Sequence, residues 1–159
     1  MAENIDIRAA VDTDLPSLAR VWNDSWHASH AHLSPEAALY RDLPYFEARV
    51  GSNLARMIVA EKENQIVGFS GWQADGIGQL FVLPSHFGTQ VAFRLLATVE
   101  AILKAKEHKT IWLHCQTGND RARKFYEKHG WKVIRAFDTE LGTHKGPMPT
   151  RAWHMEKTF

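Results

Sequence analysis

The run Asn119-Asp120-Arg121-Ala122-Arg123-Lys124-Phe125-Tyr126-Glu127-Lys128-His129-Gly130-Trp131 fixes both ends of one helix and the face it buries. Asn119 is a capping residue whose side-chain oxygen can accept a backbone N–H of the first turn. Gly130 suits the left-handed position beyond the last turn. Phe125 and Tyr126 form an aromatic pair on the helix. Thr110 to Cys115 before it reads as a buried strand, and Lys132 to Phe137 after it as another. This strand–helix–strand unit is the frame around which the rest of the chain must arrange itself.

Ile5 to Ala9 reads as a first short strand. Asp12-Thr13-Asp14 then supplies helix-start chemistry, with Pro16 tolerated in the first turn. Leu15, Leu18, Val21, Trp22 and Trp26 recur at helical spacing. A second helix opens at Ser34-Pro35-Glu36 and runs towards Gly51 with a break at Pro44. Met57 to Glu61 and Ile66 to Trp72, joined by the polar turn Glu63-Asn64, predict an antiparallel hairpin. Ile77 to Leu83 is a strand stopped by Pro84. Gly88 to Lys106 is an amphipathic helix, and Leu141 to Thr150, rich in Gly and Pro, is a loop before a last strand from Arg151 to Lys157. The order is β-α-α-β-β-β-α-β-α-β-β, an α/β chain with a mixed sheet. It has no repeat and no linker that would divide residues 1–159 into two domains.

Net charge is +1, from 19 basic and 18 acidic side chains. A phosphate-backbone binder shows a basic excess or stripe, so no nucleic acid partner is expected. Cys115 is the only cysteine, which fits a reducing, cytoplasmic setting. Glu3 and Asp6 near the N-terminus do not match the basic-then-apolar pattern of a signal peptide. No apolar run approaches the roughly 20 residues that span a bilayer, so no membrane partner is expected either.

The pattern Asn-x-x-Ala-x-x-Phe-Tyr-x-x-x-Gly-aromatic over Asn119 to Trp131 resembles the acyl-CoA-binding helix of the GNAT superfamily of N-acetyltransferases. The element order is similar to that family's fold, a mixed sheet with helices on both faces. Leu80-Phe81-Val82-Leu83-Pro84 resembles the family's apolar-Val-apolar-Pro strand ending. The resemblance implies that the fourth and fifth strands splay and take the cofactor's pantetheine arm between them. Acetyl-CoA is then the implied cosubstrate, with Val82, Leu83 and Asn119 in contact with it and no metal required. The pyrophosphate loop is implied over Phe87, Gly88, Thr89, Gln90, Val91 and Ala92. There the chain departs from the family's Arg/Gln-x-x-Gly-x-Gly/Ala, because Phe87 replaces a polar or basic side chain and Gln90 the central glycine. A left-handed Gln90 would cost about 1–2 kcal/mol, a helical one little. Arg94, Arg121, Arg123 and Lys124 are candidate sources of charge for the phosphates.

The resemblance makes Tyr126 the acid that protonates the leaving thiolate, since a phenol with an ordinary pKa near 10 matches a thiolate in basicity. A backbone N–H near Val82 or Leu83 would polarise the thioester oxygen. For the general base Asp75, His114 and a water relay stay open. Trp26 and His27, in the cluster Trp22, Trp26, His27, His30 and His32, are expected to line the acceptor pocket. Those histidines lack the Cys or close acid that would complete a metal site. Arg151 would meet a substrate carboxylate or pair with an acid on the next strand.

The function implied is transfer of an acetyl group to a primary amine of a small molecule or peptide by direct attack. A homodimer is compatible with the resemblance. Two rivals stay open: a GNAT-fold module that binds CoA without catalysis, and an interaction domain in which Phe87 plugs the cleft.

Overall fold

The computed structural model describes residues 4–159; Glu3, part of the N-terminal charge pattern, lies outside them. Seven strands form one sheet in the order β1-β2-β3-β4-β5-β7-β6. They are β1 (Ile5–Ala9), β2 (Met57–Lys62), β3 (Gln65–Gln73), β4 (Gly76–Val82), β5 (Thr110–Gln116), β6 (Lys132–Leu141) and β7 (Met148–Thr158). Every pairing is antiparallel except β4 with β5. The helices are α1 (Leu15–His30), α2 (Pro35–Ala38), α3 (Leu43–Asn53), α4 (Val91–Ala105) and α5 (Asp120–Lys128).

The central strands alternate between two cores, as a sheet covered on both faces requires. On β2, Met57 and Val59 meet Trp22, Trp26, Phe46 and Val50 from α1 and α3. Ile58 and Ala60 face the other way, towards Val91, Leu95, Val99 and Leu103 of α4. On β3 Val67 joins the α4 core and Phe69 the other although they are two residues apart, because the pairing with β2 shifts register beside Val67.

Three expectations from the sequence are corrected. The second helix is two, α2 and α3, and the break falls at residues 39–42. The Asp42 carboxylate accepts the Tyr45 N–H at 3.1 Å and so starts α3, leaving Pro44 in the first turn, where its missing N–H costs nothing. The central helix begins at Val91, not Gly88, because Gly88 has a left-handed backbone (φ 76°) and Thr89 turns back onto His86. The loop expected over Leu141 to Thr150 shrinks to residues 142–147, since Leu141 pairs with Met148 and Glu140 with Pro149. Pro149 is tolerated there because β5 reaches along β7 only as far as Ala152, leaving that part of β7 with one neighbour.

Among the described residues no helix is long and apolar enough to cross a membrane.

Candidate active site

The parallel pair β4–β5 is joined only at Gly76↔Trp112 and Ile77↔Leu113, after which the strands separate. A latch holds this junction. The Trp112 indole donates to Asp75 Oδ1 at 2.7 Å, and its ring lies where a Cβ on Gly76 would come within 2.3 Å of it. Beyond the junction β4 is bonded on its β3 side only. The Leu83 N–H goes to Val67 O at 2.9 Å, so by antiparallel alternation the N–H of Val82 points away from β3, onto the open edge. Of the two residues expected to polarise a thioester, Val82 alone has a free N–H there; that of Leu83 is spent in the sheet.

The opened edge leads into a cavity of ≈ 630 Å³. Its inner end is bounded by β4 from Gly78 to Val82, by His114, Cys115 and Gln116 of β5, and by Tyr126. Its outer end is bounded by Phe87 to Gln90, by Ala92 and Phe93 of α4, and by Arg121, Phe125, Lys128 and His129. Val91 does not line it: its side chain is fully buried, and its N–H is turned to Thr89 Oγ1. Its part is packing, while the N–H groups of the following turn remain for an anion at the helix start.

Gln90 has φ −79° and ψ −5°, so the glycine it replaces is not needed for a left-handed turn. Phe87 lines the cavity without filling it. Its ring carries the Arg121 guanidinium at 3.5 Å from the centroid. The position therefore supplies positive charge through a stacked partner from α5.

Asn119 caps α5, its Oδ1 accepting the Ala122 N–H at 3.3 Å. That bond orients the amide so that Nδ2 faces His30 Nε2, 3.4 Å away. His30 Nδ1 lies 2.6 Å from Ser29 Oγ, which donates to Ser25 O. A neutral imidazole with its proton on Nδ1 satisfies this chain end to end. Burial, with Arg41 and His32 nearby, lowers the His30 pKa to about 4 and keeps it neutral. His30, Ser25 and Ser29 are the α1 residues that line the cavity. Trp26 and His27, expected there, do not. Trp26 is 2% exposed, stacked on His30 and covered by Arg41, and the His27 ring is bonded to Arg41 O. The missed signal was the serine row Ser25 and Ser29, one step round the helix from the tryptophan stripe.

At the helix end, Trp131 N–H bonds to Tyr126 O and Gly130 N–H to Glu127 O, with Gly130 at φ 92°, which closes α5 as the glycine stop requires. The Tyr126 hydroxyl makes no hydrogen bond among the described residues, and burial raises its pKa well above that of a free phenol. Cys115 beside it is pushed up to about 12 by the same burial. The burial that raises both groups disfavours any uncompensated negative charge, phenolate or thiolate, in this part of the cleft.

Asp75 belongs to the latch and does not line the cavity, whereas His114 does. Arg151 pairs with Asp138 on β6 at 2.7 Å. Among the described residues no group of three or more His, Cys, Asp or Glu is placed to hold a metal ion.

Residues 15–131 match the Acetyltransferase (GNAT) family, and the chain belongs to it. Uncharacterized N-acetyltransferases of Mycobacterium bovis and Mycobacterium tuberculosis are 30% identical over 93 residues, covering 55% of this chain and 60% of theirs. The chain thus matches less than two thirds of those relatives' length. A GCN5-related N-acetyltransferase from Rhodopseudomonas palustris superposes with a TM-score of 0.78 at 20% identity, covering 100% of this chain and 99% of that one. The PaiA N-acetyltransferase from Thermoplasma acidophilum, solved in complex with coenzyme A, gives 0.70 at 23% identity, with 100% of both chains covered. At these identities the likeness is one of fold.

Proposed function

We propose that this chain transfers the acetyl group of acetyl-CoA to a primary amine of a small molecule or peptide by direct attack. The observation that carries the reading is the open β4–β5 edge. It offers unpaired backbone groups to an amide-rich pantetheine arm, as an added strand would be received, in a cavity that also holds Tyr126 and the start of α4. The pyrophosphate would sit at the N–H groups of Gly88, Gln90 and Ala92, those of Thr89 and Val91 being turned to His86 O and Thr89 Oγ1, and against Arg121. Phe93 and Phe125, each with its ring within 5 Å of that of His129, would offer an aromatic surface for the adenine. The acetyl carbonyl would accept from the Val82 N–H, and Asn119 and His30 would border the thiol end of the arm. The coenzyme A in the Thermoplasma relative supports the choice of donor.

The amine attacks the carbonyl carbon, the C–S bond breaks, and the departing sulfur takes the Tyr126 proton. Tyr126→Phe should lower kcat by about 10²-fold or more, the usual worth of a positioned acid, and leave the acetyl-CoA Kd within a factor of two or so. Thiol release across a panel of primary amines, with calorimetric acetyl-CoA binding beside it, measures both. Equal losses in binding and rate would remove the acid role. Binding without thiol release for any amine would make the chain a CoA-binding module instead.

A further inference from the structure

The exposed side of β5 and β7 carries a hydrogen-bonded line of three titratable groups that the acetyl-transfer reading leaves unused. Glu156 Oε2 lies 2.8 Å from His154 Nε2, and His154 Nδ1 lies 3.1 Å from His114 Nε2. His114 and His154 are direct cross-strand partners, so the register of the sheet sets their approach. His114 alone of the three lines the cavity. Its ring is held between Trp112 and Phe137, each 4.7 Å away between centroids.

The chemistry of the partners fixes the protons. A carboxylate only accepts, so His154 Nε2 carries a hydrogen and donates it to Glu156. A neutral His154 then has its lone pair on Nδ1, where it accepts from His114 Nε2–H. The remaining nitrogen, His114 Nδ1, is left with a free lone pair and no partner among the described residues. This is the logic of a base oriented by a second imidazole that is itself oriented by an acid.

Resting on the acetyl-transfer reading, we propose that His114 is the general base of the reaction and that His154 and Glu156 are the residues that position it and carry its proton to the surface. The acceptor ammonium gives one proton to His114 Nδ1. The freed nitrogen lone pair forms the C–N bond, and the carbonyl π electrons move to oxygen and return as the C–S bond breaks. Tyr126 gives its proton to the departing sulfur, and the second proton lost by the nitrogen restores the phenol, so one proton in all, the one taken by His114, leaves for solvent. His114 passes it from Nε2 to His154 Nδ1, and the resulting imidazolium is balanced by Glu156. Burial, His154 and Arg135 on β6 lower the His114 pKa, which keeps it in the accepting form near neutrality. The charged or titratable groups about it are His154 and, through it, Glu156 on β7, and Arg135 on β6.

Two readouts on the full chain test this. Nitrogen-15 histidine correlation spectra report the tautomer without any substrate: His114 should be protonated on Nε2 with a bare Nδ1, and Glu156→Gln should disturb that assignment. A His114 proton on Nδ1 would overturn the proposal. The kinetic readout is kcat/KM against pH with acetyl-CoA and three probes: tyramine, a lysine side-chain amine and a peptide with a free N-terminus. His114→Gln should lower it by about 10²–10³-fold at pH 7, with the deficit shrinking as pH rises and the amine loses its own proton. Glu156→Gln should move the acidic limb to lower pH, since the imidazolium loses its counter-charge. A uniform drop with no movement of the limb would reduce Glu156 to a structural role and contradict the relay. No turnover by the unmodified protein with any probe would instead overturn the acetyl-transfer reading, and the base role with it.

Discussion

Arg121 and Phe87 illustrate how one residue position can be vacated and its charge returned from elsewhere. The ring at 87 cannot bind a phosphate, but it presents the flat face on which the Arg121 guanidinium rests, and burial of that guanidinium lowers its pKa without neutralising it. Arg121→Ala should raise the CoA Kd by roughly tenfold to a hundredfold, the loss of one charge-assisted bond, and the penalty should shrink in high salt. A calorimetric titration at two ionic strengths checks it; an unchanged Kd would leave the α4 backbone as the whole anion site. Asp75→Asn should leave the pH–rate profile where it is, because that carboxylate serves the Trp112 indole and does not reach the cleft. The Asn119 cap and the Gly130 stop were legible from residue type and spacing, whereas the place of Tyr126 at the cleft was implied by the resemblance. The stacked Arg121 was not singled out among four candidate cations, since a contact between the loop and α5 has no signature in local spacing. Trp26 and His27 misled because a tryptophan beside histidines looks the same in sequence whether it faces a core or a pocket.

At the level of elements, α5 is defined at both ends, and its stop is the more exacting one. A Cβ at Gly130 would meet Lys157 Cε at an ordinary 3.5 Å, so space is not the issue; the φ of 92° is. Gly130→Ala should cost about 1–2 kcal/mol of stability by backbone strain alone, read as a lower denaturation midpoint at unchanged slope. Beyond the stop, the Trp131 indole donates to Glu100 on α4, whose other oxygen receives Lys157 of β7 at 2.7 Å, tying helix, helix and sheet together. The strands from β2 to β5 were legible because their β-branched runs are bounded by turn residues. The length of β6 and β7 was not. Pro149 and the glycines signal a loop, and only knowledge that this stretch of β7 lacks a second neighbour shows that a proline fits. The division of α2 from α3 was hidden for a similar reason: Pro44 looks like a break until Asp42 is seen to cap the turn before it.

Taken whole, the molecule joins its two faces through the cleft, with His30 of α1 meeting Asn119 of α5 across it. His30 is held neutral, at about 4 against 6.5 for a free imidazole, so the unfolded chain binds the extra proton first. Its stabilising contribution is complete above about pH 6.5 and is lost as pH falls towards 4, amounting to about 3 kcal/mol. Asp14, held below the ordinary carboxylate range by its bond to Arg8, adds a second loss at still lower pH. Chemical denaturation between pH 7 and 4 should show this slope, and His30→Gln should flatten it; an equal slope in both proteins would place the titration elsewhere. The order of strands and helices was legible from the chain because each element's period agrees with its place in the sheet. The widening between β4 and β5 came only through resemblance, since it depends on where pairing stops. That opening is what the functional account rests on. The measurement that tests it most directly is a calorimetric titration with acetyl-CoA, free CoA and ATP. The account predicts saturable binding of acetyl-CoA and CoA at one site, with ATP far weaker because it lacks the arm that pairs with β4. No heat with acetyl-CoA, or equal binding of ATP, would contradict it.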